Sequence, residues 1–221
     1  MAHRAVVVVV GGGLPAPGLL AHVPSGVPVV AADSGLDVAV ALGMEADVVV
    51  GDLDSVTPGA LADAEAAGAR VVRHPVEKDE TDLALALFEA EDLLGGRGEV
   101  VVVGGVEGRL DHLLAGVLAL ADTRWAALEV RAVVGDALVH VLHGPAEREL
   151  VGAEPGALVT LLPVGGPAGG VRTHGLRYPL AGEALHAGAT RGVSNVVDRL
   201  PATVGLDDGA LLAFLTLTGG H

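Results

Sequence analysis

One stretch of the sequence decides the fold: Ala46-Asp47-Val48-Val49-Val50-Gly51-Asp52-Leu53-Asp54-Ser55. Its first half is an apolar run of β-branched residues, the pattern of a strand buried on both faces of a parallel sheet. A glycine and two aspartates follow at once, so both carboxylates lie on the turn that leaves the strand. The stretch therefore predicts a buried parallel strand with two acidic groups, one residue apart, at its carboxyl end.

The surrounding sequence alternates strands and helices in the same way up to about residue 128. Apolar runs suited to buried strands are Ala5–Val10, Val27–Ala32, Asp47–Val50, Arg70–Arg73 and Glu99–Val103. Between them lie helices with recognisable ends: from Asp33 or Ser34 to Leu42, from Thr57-Pro58 to Gly68, from Asp79 or Thr81 to Leu94, and about Leu110–Ala121. This alternation predicts an α/β domain with a parallel sheet over residues 1–128.

The second half of the chain has a different pattern. Short strands are predicted at Val130–Val134, Ala137–Leu142, Leu158–Pro163, Val171–Thr173 and Leu211–Leu217. Glycine- and proline-rich turns separate them, among them the segment from Pro163 to Gly170. We expect a small C-terminal β-sandwich over residues 129–221, with the boundary around Ala126–Asp136.

Composition limits the possible partners of this chain of 221 residues. A formal net charge of −15 argues against a nucleic-acid partner, which needs a basic face. If the ligand is a nucleotide, a divalent cation has to bridge the acids of the site to the phosphates. The apolar run at Ala5–Val10 is too short for a membrane span or a signal peptide, so we expect a soluble cytoplasmic protein without a membrane partner.

Six aspartates follow predicted strands, at the edge where open α/β sheets bind ligands: Asp33, Asp52, Asp54, Asp79, Asp82 and Asp111. Asp52 and Asp54 are close enough in sequence to repel each other unless a cation lies between them, and hard oxygen ligands with this spacing suit Mg²⁺. A plainer interpretation remains for the others, since aspartate also favours the first positions of helices.

Two further segments carry groups that could hold phosphate. Lys78 is the only lysine of the chain, within Lys78-Asp79-Glu80-Thr81-Asp82, and an ammonium there can reach phosphate as a point charge. A glycine-rich turn, Gly104 to Gly108, precedes Arg109, and its backbone N–H groups suit an anion. The alternative is an ordinary surface lysine at an exposed helix start. Gly11-Gly12-Gly13 lacks the spacing of a nucleotide fingerprint and predicts only a flexible turn.

In their order along the chain, these motifs resemble the thiamine pyrophosphokinase family. The resemblance rests on Asp33-Ser34-Gly35, the stretch from Ala46 to Ser55, the segment from Lys78 to Asp82, and Gly108-Arg109-Leu110-Asp111-His112. Gly175-Leu176-Arg177-Tyr178-Pro179-Leu180 and Gly192-Val193-Ser194-Asn195 resemble the family's thiamine-binding β domain. The chain departs from the family's pattern at Ser34, Gly116, Val196 and Val197.

The resemblance implies roles for individual residues. Mg²⁺ would be held by Asp52, Asp54, Asp79 and Asp82. The nucleotide would contact Asp33, Thr81, Arg109, Asp111 and His112, and catalysis would depend on Asp54, Asp82, Lys78 and Arg109. Ser194 and Asn195 would bind thiamine, although on residue type alone they form an ordinary turn and Tyr178 is a packed core aromatic.

The resemblance further implies ATP-dependent pyrophosphorylation of thiamine by a homodimer, with thiamine held where the α/β domain of one subunit meets the β domain of its partner. Thiamine's hydroxyethyl oxygen would attack the β-phosphorus of ATP and release AMP. Two alternatives stay open. One is a pyrophosphokinase for another hydroxymethyl compound, such as a pterin. The other is a non-catalytic regulator that binds nucleotide or thiamine.

Overall fold

The computed structural model describes residues 3–217. The chain divides into two compact units. The first contains the described residues up to Gly116 together with Val133–Gly135, and the second contains Val117–Ala132 and the described residues from Asp136 onwards. Within the described part of the chain, no helix is long and apolar enough to cross a membrane.

The first unit is built on a parallel sheet with the strand order β4-β3-β2-β1-β5. Its strands are β1 (Ala5–Val9), β2 (Val29–Ala32), β3 (Val48–Gly51), β4 (Arg70–Arg73) and β5 (Gly98–Gly104). Valine runs fill β1, β2 and β3, and all their residues are buried. The strand order reverses at β1, because the chain continues through β2, β3 and β4 on one side and returns to β5 on the other. This reversal is the switch point at which open α/β sheets bind ligands.

Four α-helices connect or follow these strands: α1 (Gly35–Ala41), α2 (Pro58–Ala67), α3 (Asp82–Leu94) and α4 (Leu110–Ala119). Their ends match the sequence signals. Thr57 stands at the N-cap before Pro58, and Gly68 ends α2 in the left-handed conformation with φ 103°. The Thr81 hydroxyl caps α3 by accepting the Ala84 N–H at 3.2 Å.

Apolar side chains on α3 fix this helix to the sheet. The buried face of α3 contains Ala84, Ala86, Leu87, Ala90 and Leu94, and the helix packs against β1, β2, β3 and β5. A second core cluster consists of Ala31, Leu36, Val49, Leu53 and Val56. These apolar contacts hold the strands and α3 in place. The polar groups at the strand ends and at the start of α3 therefore have defined positions.

The second unit is a β structure, as the sequence predicts. The strands in this half of the chain are β6 (Leu128–Val134), whose last two residues belong to the first unit, β7 (Ala137–His143), β8 (Ala146–Glu149), β9 (Leu158–His174), β10 (Ala181–Leu185), β11 (Asn195–Val196), β12 (Thr203–Leu206) and β13 (Asp208–Thr216). Antiparallel pairing joins β13 to both β7 and β9, and β12 to both β8 and β9. The charged segment Ala146–Glu149 lacks the apolar alternation of a half-buried strand, so β8 has no clear signal in the sequence.

One prediction in this half of the chain is wrong. The segment from Pro163 to Gly170, predicted as a turn between two strands, lies inside the single strand β9. The first part of β9 pairs with β13 and β11, and its last part pairs with β12 and β10. Gly165 and Gly170 adopt positive φ angles of 74° and 64° where the strand changes partners. The glycines and prolines therefore mark a bend within a strand, which has the same composition as a turn.

Candidate active site

The turn after β3 presents two carboxylates in a closed geometry. Leu53, between them, has φ 63° and is only 8% exposed, so the backbone turns sharply while the leucine side chain points into the core. The Asp54 N–H donates to Asp52 Oδ1 at 3.3 Å. The Ser55 hydroxyl donates to Asp54 Oδ1 at 2.9 Å. These contacts fix the turn and keep the carboxylates of Asp52 and Asp54 near each other.

A third carboxylate, from the end of the neighbouring strand β2, joins them. Asp33 also has a positive φ, 46°, and its N–H donates to the Val50 carbonyl at 2.9 Å, which ties the end of β2 to β3. One carboxylate oxygen from each of Asp33, Asp52 and Asp54 lies within 4.8 Å of the other two. We call these three residues the acid cluster.

The electrostatics of Asp33 show that the acid cluster concentrates negative charge. Burial raises the pKa of Asp33, and the nearby charges of Asp82 and Asp52 raise it further, against the lowering effect of a hydrogen bond from the Ser34 backbone. Among the described residues, the buried Asp33 Oδ1 has no hydrogen-bond partner. A buried, unpaired acceptor beside two other carboxylates is a suitable ligand for a cation.

Lys78 balances part of this charge from the loop that precedes α3. Its Nζ donates to Asp52 Oδ2 at 3.0 Å and lies 3.1 Å from Asp82 Oδ1, an ion pair without hydrogen-bond alignment. The lysine side chain is 13% exposed. Burial alone would lower the pKa of Lys78, but Asp52 and Asp82 outweigh it and raise this pKa. The Lys78 ammonium in turn lowers the pKa of Asp52.

Gly51 makes room for this arrangement. Its φ is 144°, and a Cβ at this position would lie 2.9 Å from Asp82 Oδ1 and 3.2 Å from Asp33 Cβ. Any larger residue would therefore push apart the strand ends that carry the two acids. The motif contains Gly51, but the steric reason for a glycine there depends on tertiary contacts with Asp82 and Asp33.

The other residues predicted for the nucleotide and the metal have other surroundings. Asp79 is exposed and is not part of the acid cluster, whereas Asp33, predicted for the nucleotide only, belongs to it. The Arg109 guanidinium donates to Asp111 at 2.6 Å, and this pair, with both side chains exposed, lowers the pKa of Asp111 to about 2. His112 is exposed in the first turn of α4.

Two glycine-rich segments meet at the switch point of the sheet. A Cβ on Gly105 would fall 1.8 Å from the Gly12 carbonyl oxygen, so the backbones after β1 and β5 are in direct contact. The Glu107 N–H donates to the same Gly12 oxygen at 2.8 Å. Ser34 finds space for its side chain over Gly11, where a Cβ would lie 2.5 Å from the serine Oγ. Only glycine permits such close backbone approach.

The second unit contains a cavity of about 240 Å³. Tyr178, Leu180 and residues 190–195 line it, so the two segments that the sequence analysis singled out in this half of the chain form one cavity. Arg191 is paired with Glu183 through two hydrogen bonds of 2.9 and 2.8 Å. Tyr178 is 57% exposed, so it is not the packed core aromatic that residue type alone favours.

Asn195 holds the cavity wall together. This residue is 5% exposed. Its Oδ1 accepts the Tyr178 N–H at 3.0 Å and the Val196 N–H at 2.8 Å, and its Nδ2 donates to the Tyr178 carbonyl at 2.7 Å. The adjacent Ser194 is exposed, has φ 58°, and donates its N–H to Thr160 Oγ1 at 3.1 Å. The Asn195 amide thus orders the Tyr178 segment, whereas Ser194 is exposed.

Two family models match the chain in succession. Residues 25–132 match the catalytic domain of thiamin pyrophosphokinase, and residues 140–211 match its vitamin B1 binding domain. The chain belongs to the thiamine pyrophosphokinase family. The acid cluster and Lys78 lie in the stretch that matches the catalytic domain. The cavity around Tyr178 lies in the stretch that matches the vitamin B1 binding domain.

Individual members of the thiamine pyrophosphokinase family agree with this assignment. Thiamine pyrophosphokinase 1 from Oryza sativa subsp. japonica is 27% identical over 164 residues, which are 69% of this chain and 59% of the rice protein. Thiamine pyrophosphokinase 2 of the same plant is 25% identical over 170 residues, 73% of this chain and 62% of that protein. The chain therefore matches less than two thirds of the length of these curated relatives.

Solved structures of the family share the fold. The thiamine pyrophosphokinase of Bacillus subtilis superposes with a TM-score of 0.80 at 22% identity, over 97% of this chain and 100% of that chain. The yeast thiamin pyrophosphokinase gives a TM-score of 0.71 at 13% identity, over 98% of this chain and 87% of that chain. An α/β catalytic domain followed by a β domain, as the sequence predicts, is thus the architecture of this chain.

Proposed function

We propose that this protein is a thiamine diphosphokinase, which transfers a pyrophosphoryl group from ATP to the hydroxyethyl group of thiamine and releases AMP. The observation that carries the proposal is the meeting of Asp33, Asp52 and Asp54 beside Lys78, at the carboxyl edge of a parallel sheet. The identity of the substrates is inferred from the family to which the chain belongs. The sequence-based division into a catalytic domain of residues 1–128 and a thiamine-binding domain of residues 129–221 is part of the proposal.

The donor set suits Mg²⁺. Three carboxylates supply hard oxygen ligands, and the buried Asp33 Oδ1 is without a hydrogen bond among the described residues. We assign Asp52 and Asp54 as Mg²⁺ ligands, with Asp33 as a third carboxylate of the same cluster. Asp79 and Asp82, which the resemblance implies as ligands, remain proposed ligands. When bound, Mg²⁺ would be held by these carboxylates and would supply positive charge that neutralises the phosphates of ATP.

The chain's own residues would align the reactants and hold the phosphate charge. Lys78 lies between Asp52 and Asp82 and offers its ammonium to the phosphate oxygens, with Arg109 as a second cation. Thr81, Asp111 and His112 are proposed to contact the nucleotide with these cations.

The transfer forms a bond between the thiamine hydroxyethyl oxygen and the β-phosphorus and breaks the bond from that phosphorus to the oxygen that leaves with AMP. The hydroxyl proton passes to a carboxylate, for which Asp54 and Asp82 are the candidates.

The cavity of the second unit is the proposed thiamine site. Its polar wall includes the exposed Ser194, and Tyr178 supplies an aromatic surface. Asn195 contributes indirectly, because its amide is engaged with the backbone at Tyr178 and Val196. This differs from the direct contact that the resemblance implies for Asn195.

We further propose a cytoplasmic homodimer that binds neither nucleic acid nor membrane, in which each thiamine site joins two subunits. Sedimentation equilibrium tests the dimer. Mixing Asn195→Ala with Asp54→Asn protein tests the shared site, because a mixed dimer then contains one site with neither change. Differently tagged chains, followed by mass spectrometry, must show that subunits exchange. Exchange without any recovered activity would mean that each site is built by a single chain.

One experiment tests the reaction. The protein is incubated with ATP, Mg²⁺ and thiamine, and the products are separated by chromatography. AMP and thiamine diphosphate formed in equal amounts support the proposal. AMP formed only with a hydroxymethyl pterin would point to the other pyrophosphokinase, and binding of ATP or thiamine without AMP would point to a regulator.

A further inference from the structure

Leu53 combines two properties that are seldom found together. Its φ of 63° places it in the left-handed region, which leucine rarely adopts because its Cβ crowds the backbone there. Its side chain is nevertheless buried, in the core cluster with Ala31, Leu36, Val49 and Val56. An unfavourable backbone conformation persists only where the surroundings enforce it. Here the surroundings are the apolar partners of the leucine side chain.

The conformation of Leu53 determines where its two neighbours point. Asp52 and Asp54 flank it, and the Asp54 N–H closes the turn on Asp52 Oδ1 at 3.3 Å. Their oxygens, together with one from Asp33, come within 4.8 Å of one another. Like charges at this distance repel, so a loose turn would let the carboxylates move apart. A fixed turn holds them together.

We propose that Leu53 is a positioning residue for the acid cluster: its side chain, anchored in the core, holds the turn in which Asp52 and Asp54 converge on a divalent cation. This inference rests on the proposed function, in which the acid cluster takes Mg²⁺. It adds a residue that carries no ligand atom and touches no substrate. Among the described residues the buried Asp33 Oδ1 has no hydrogen-bond partner, an observation independent of the turn that fits a cation beside the cluster.

The test measures cation binding directly, in the absence of ATP and thiamine. Mn²⁺ is titrated into wild-type protein and into Leu53→Gly, and free Mn²⁺ is followed by electron paramagnetic resonance. Glycine adopts the left-handed conformation freely, so this change removes the anchor without forbidding the turn. We expect Mn²⁺ to bind roughly tenfold more weakly, because binding then has to order the backbone of one residue. Leu53→Met keeps a long apolar side chain and should bind as wild type does.

A matched change in the same core separates positioning from general stability. Leu61 lies on α2 and packs against the same cluster, so Leu61→Gly lowers stability while every residue of the turn itself is kept. We expect it to leave Mn²⁺ affinity unchanged. Equal losses of affinity in Leu61→Gly and Leu53→Gly, or wild-type affinity in Leu53→Gly, would overturn the inference while leaving the proposed function intact. Asp54→Asn serves as a control for the site, because it should abolish the Mn²⁺ binding seen in wild-type protein. If wild-type protein bound no Mn²⁺, or if Asp54→Asn left the binding intact, the metal site of the proposed function would fail together with the inference.

Discussion

Lys78 Nζ donates to Asp52 Oδ2 across 3.0 Å, and this contact links the loop after β4 to the turn after β3. The same ammonium lies 3.1 Å from Asp82 Oδ1, at the start of α3. One ammonium therefore joins the turn after β3 to the segment Lys78–Asp82, which leads into α3. Since Lys78 is the only lysine in the sequence, a compact ammonium is found only where two carboxylates converge on it.

Replacing Lys78 should affect stability and catalysis together. Lys78→Ala leaves Asp52 and Asp82 without their partner, and we expect unfolding free energy in EDTA to fall by about 1–3 kcal/mol, the usual penalty for a partly buried group that loses its partner. Added Mg²⁺ should recover part of this loss. Thermal and urea unfolding with EDTA or with Mg²⁺ measure both effects.

Lys78→Arg is the sharper test of the ammonium. A planar guanidinium keeps the charge but cannot take the place of a compact donor between two carboxylates. We expect stability near that of wild type and turnover nearly as low as in Lys78→Ala. If the Lys78→Arg variant kept most of the wild-type turnover, only the positive charge would matter at this position.

Asp54→Asn should lower turnover by roughly 10²–10³, the scale of losing one preorganised charge contact. Folding should be unaffected, and unfolding in EDTA should shift slightly to higher temperature, since one of three clustered negative charges is removed. Steady-state AMP release and thermal unfolding are the measurements. Asp63→Asn, an exposed position on α2, is the control and should change neither. Wild-type turnover in Asp54→Asn would remove this residue from the site.

Gly51→Ala should disrupt the site by crowding. The added Cβ would meet Asp82 Oδ1 at 2.9 Å, and the φ of 144° is unfavourable for alanine. We expect a loss of about 1–3 kcal/mol in unfolding free energy, the usual cost of a disfavoured backbone conformation, together with a loss of turnover. Gly59→Ala on α2 has nothing within 4 Å of the new Cβ and should be neutral or stabilising. Equal effects of the two changes would rule out crowding as the cause.

Asp33→Asn should stabilise the protein in EDTA, in a way that depends on pH. Burial raises the pKa of Asp33 above its ordinary value of 3.8, so the folded state holds this proton more tightly than the unfolded state. The wild-type carboxyl therefore favours folding below about 3.8 relative to higher pH, and this advantage is lost as pH rises through the raised pKa. The gain from asparagine should be full at pH 7 and should shrink as pH falls towards 3.8. Urea unfolding across this range checks the sign, and a gain that is the same at every pH would contradict it.

Asn195→Ala should loosen the cavity of the second unit. It leaves the Tyr178 N–H and carbonyl without their partners, and we expect about 1–3 kcal/mol lower unfolding free energy. The KM for thiamine should rise while the KM for ATP stays unchanged. Asn195→Asp keeps both accepted hydrogen bonds but sets a buried carboxylate oxygen against the Tyr178 carbonyl, so it should lower the unfolding free energy at least as much as alanine does. An equal rise in both KM values would argue against a local role.

The strands, turns and helix ends that carry the site could be predicted from the sequence, because local residue chemistry determines them. Apolar valine runs, the Thr57-Pro58 start of α2 and the glycines after helices gave the strands and helices to within a few residues. Because each of them follows a strand of a parallel sheet, the sequence also predicts that Asp33, Asp52 and Asp54 lie at the carboxyl edge. The sequence does not predict that Asp33 joins the acid cluster, because the distance from Asp33 to Asp52 depends on which strands are neighbours in the sheet.

Two features could not be read from the sequence. The positive φ of Leu53 results from tertiary packing, since leucine has no preference for that conformation. The strand through Pro163–Gly170 has the composition of a turn, and only its pairing with β13 and β12 reveals a continuous strand. Local composition determines turns and helix ends well, but it does not determine which strand pairs with a bent segment.

The continuity of β9 has a consequence for how the second unit unfolds. Its residues Leu158–His174 supply hydrogen bonds to β13 on one stretch and to β12 on another. If β9 loses its pairing with β13 or with β12, it also becomes free to leave the remaining partner. The unit should accordingly open as one cooperative block in native-state hydrogen exchange. The amides of β12 and of β13 that pair with β9 should then exchange with the same free energy of opening. A deletion or insertion within β9 would shift the pairing of both at once, so this strand is the part of the unit least able to change in length.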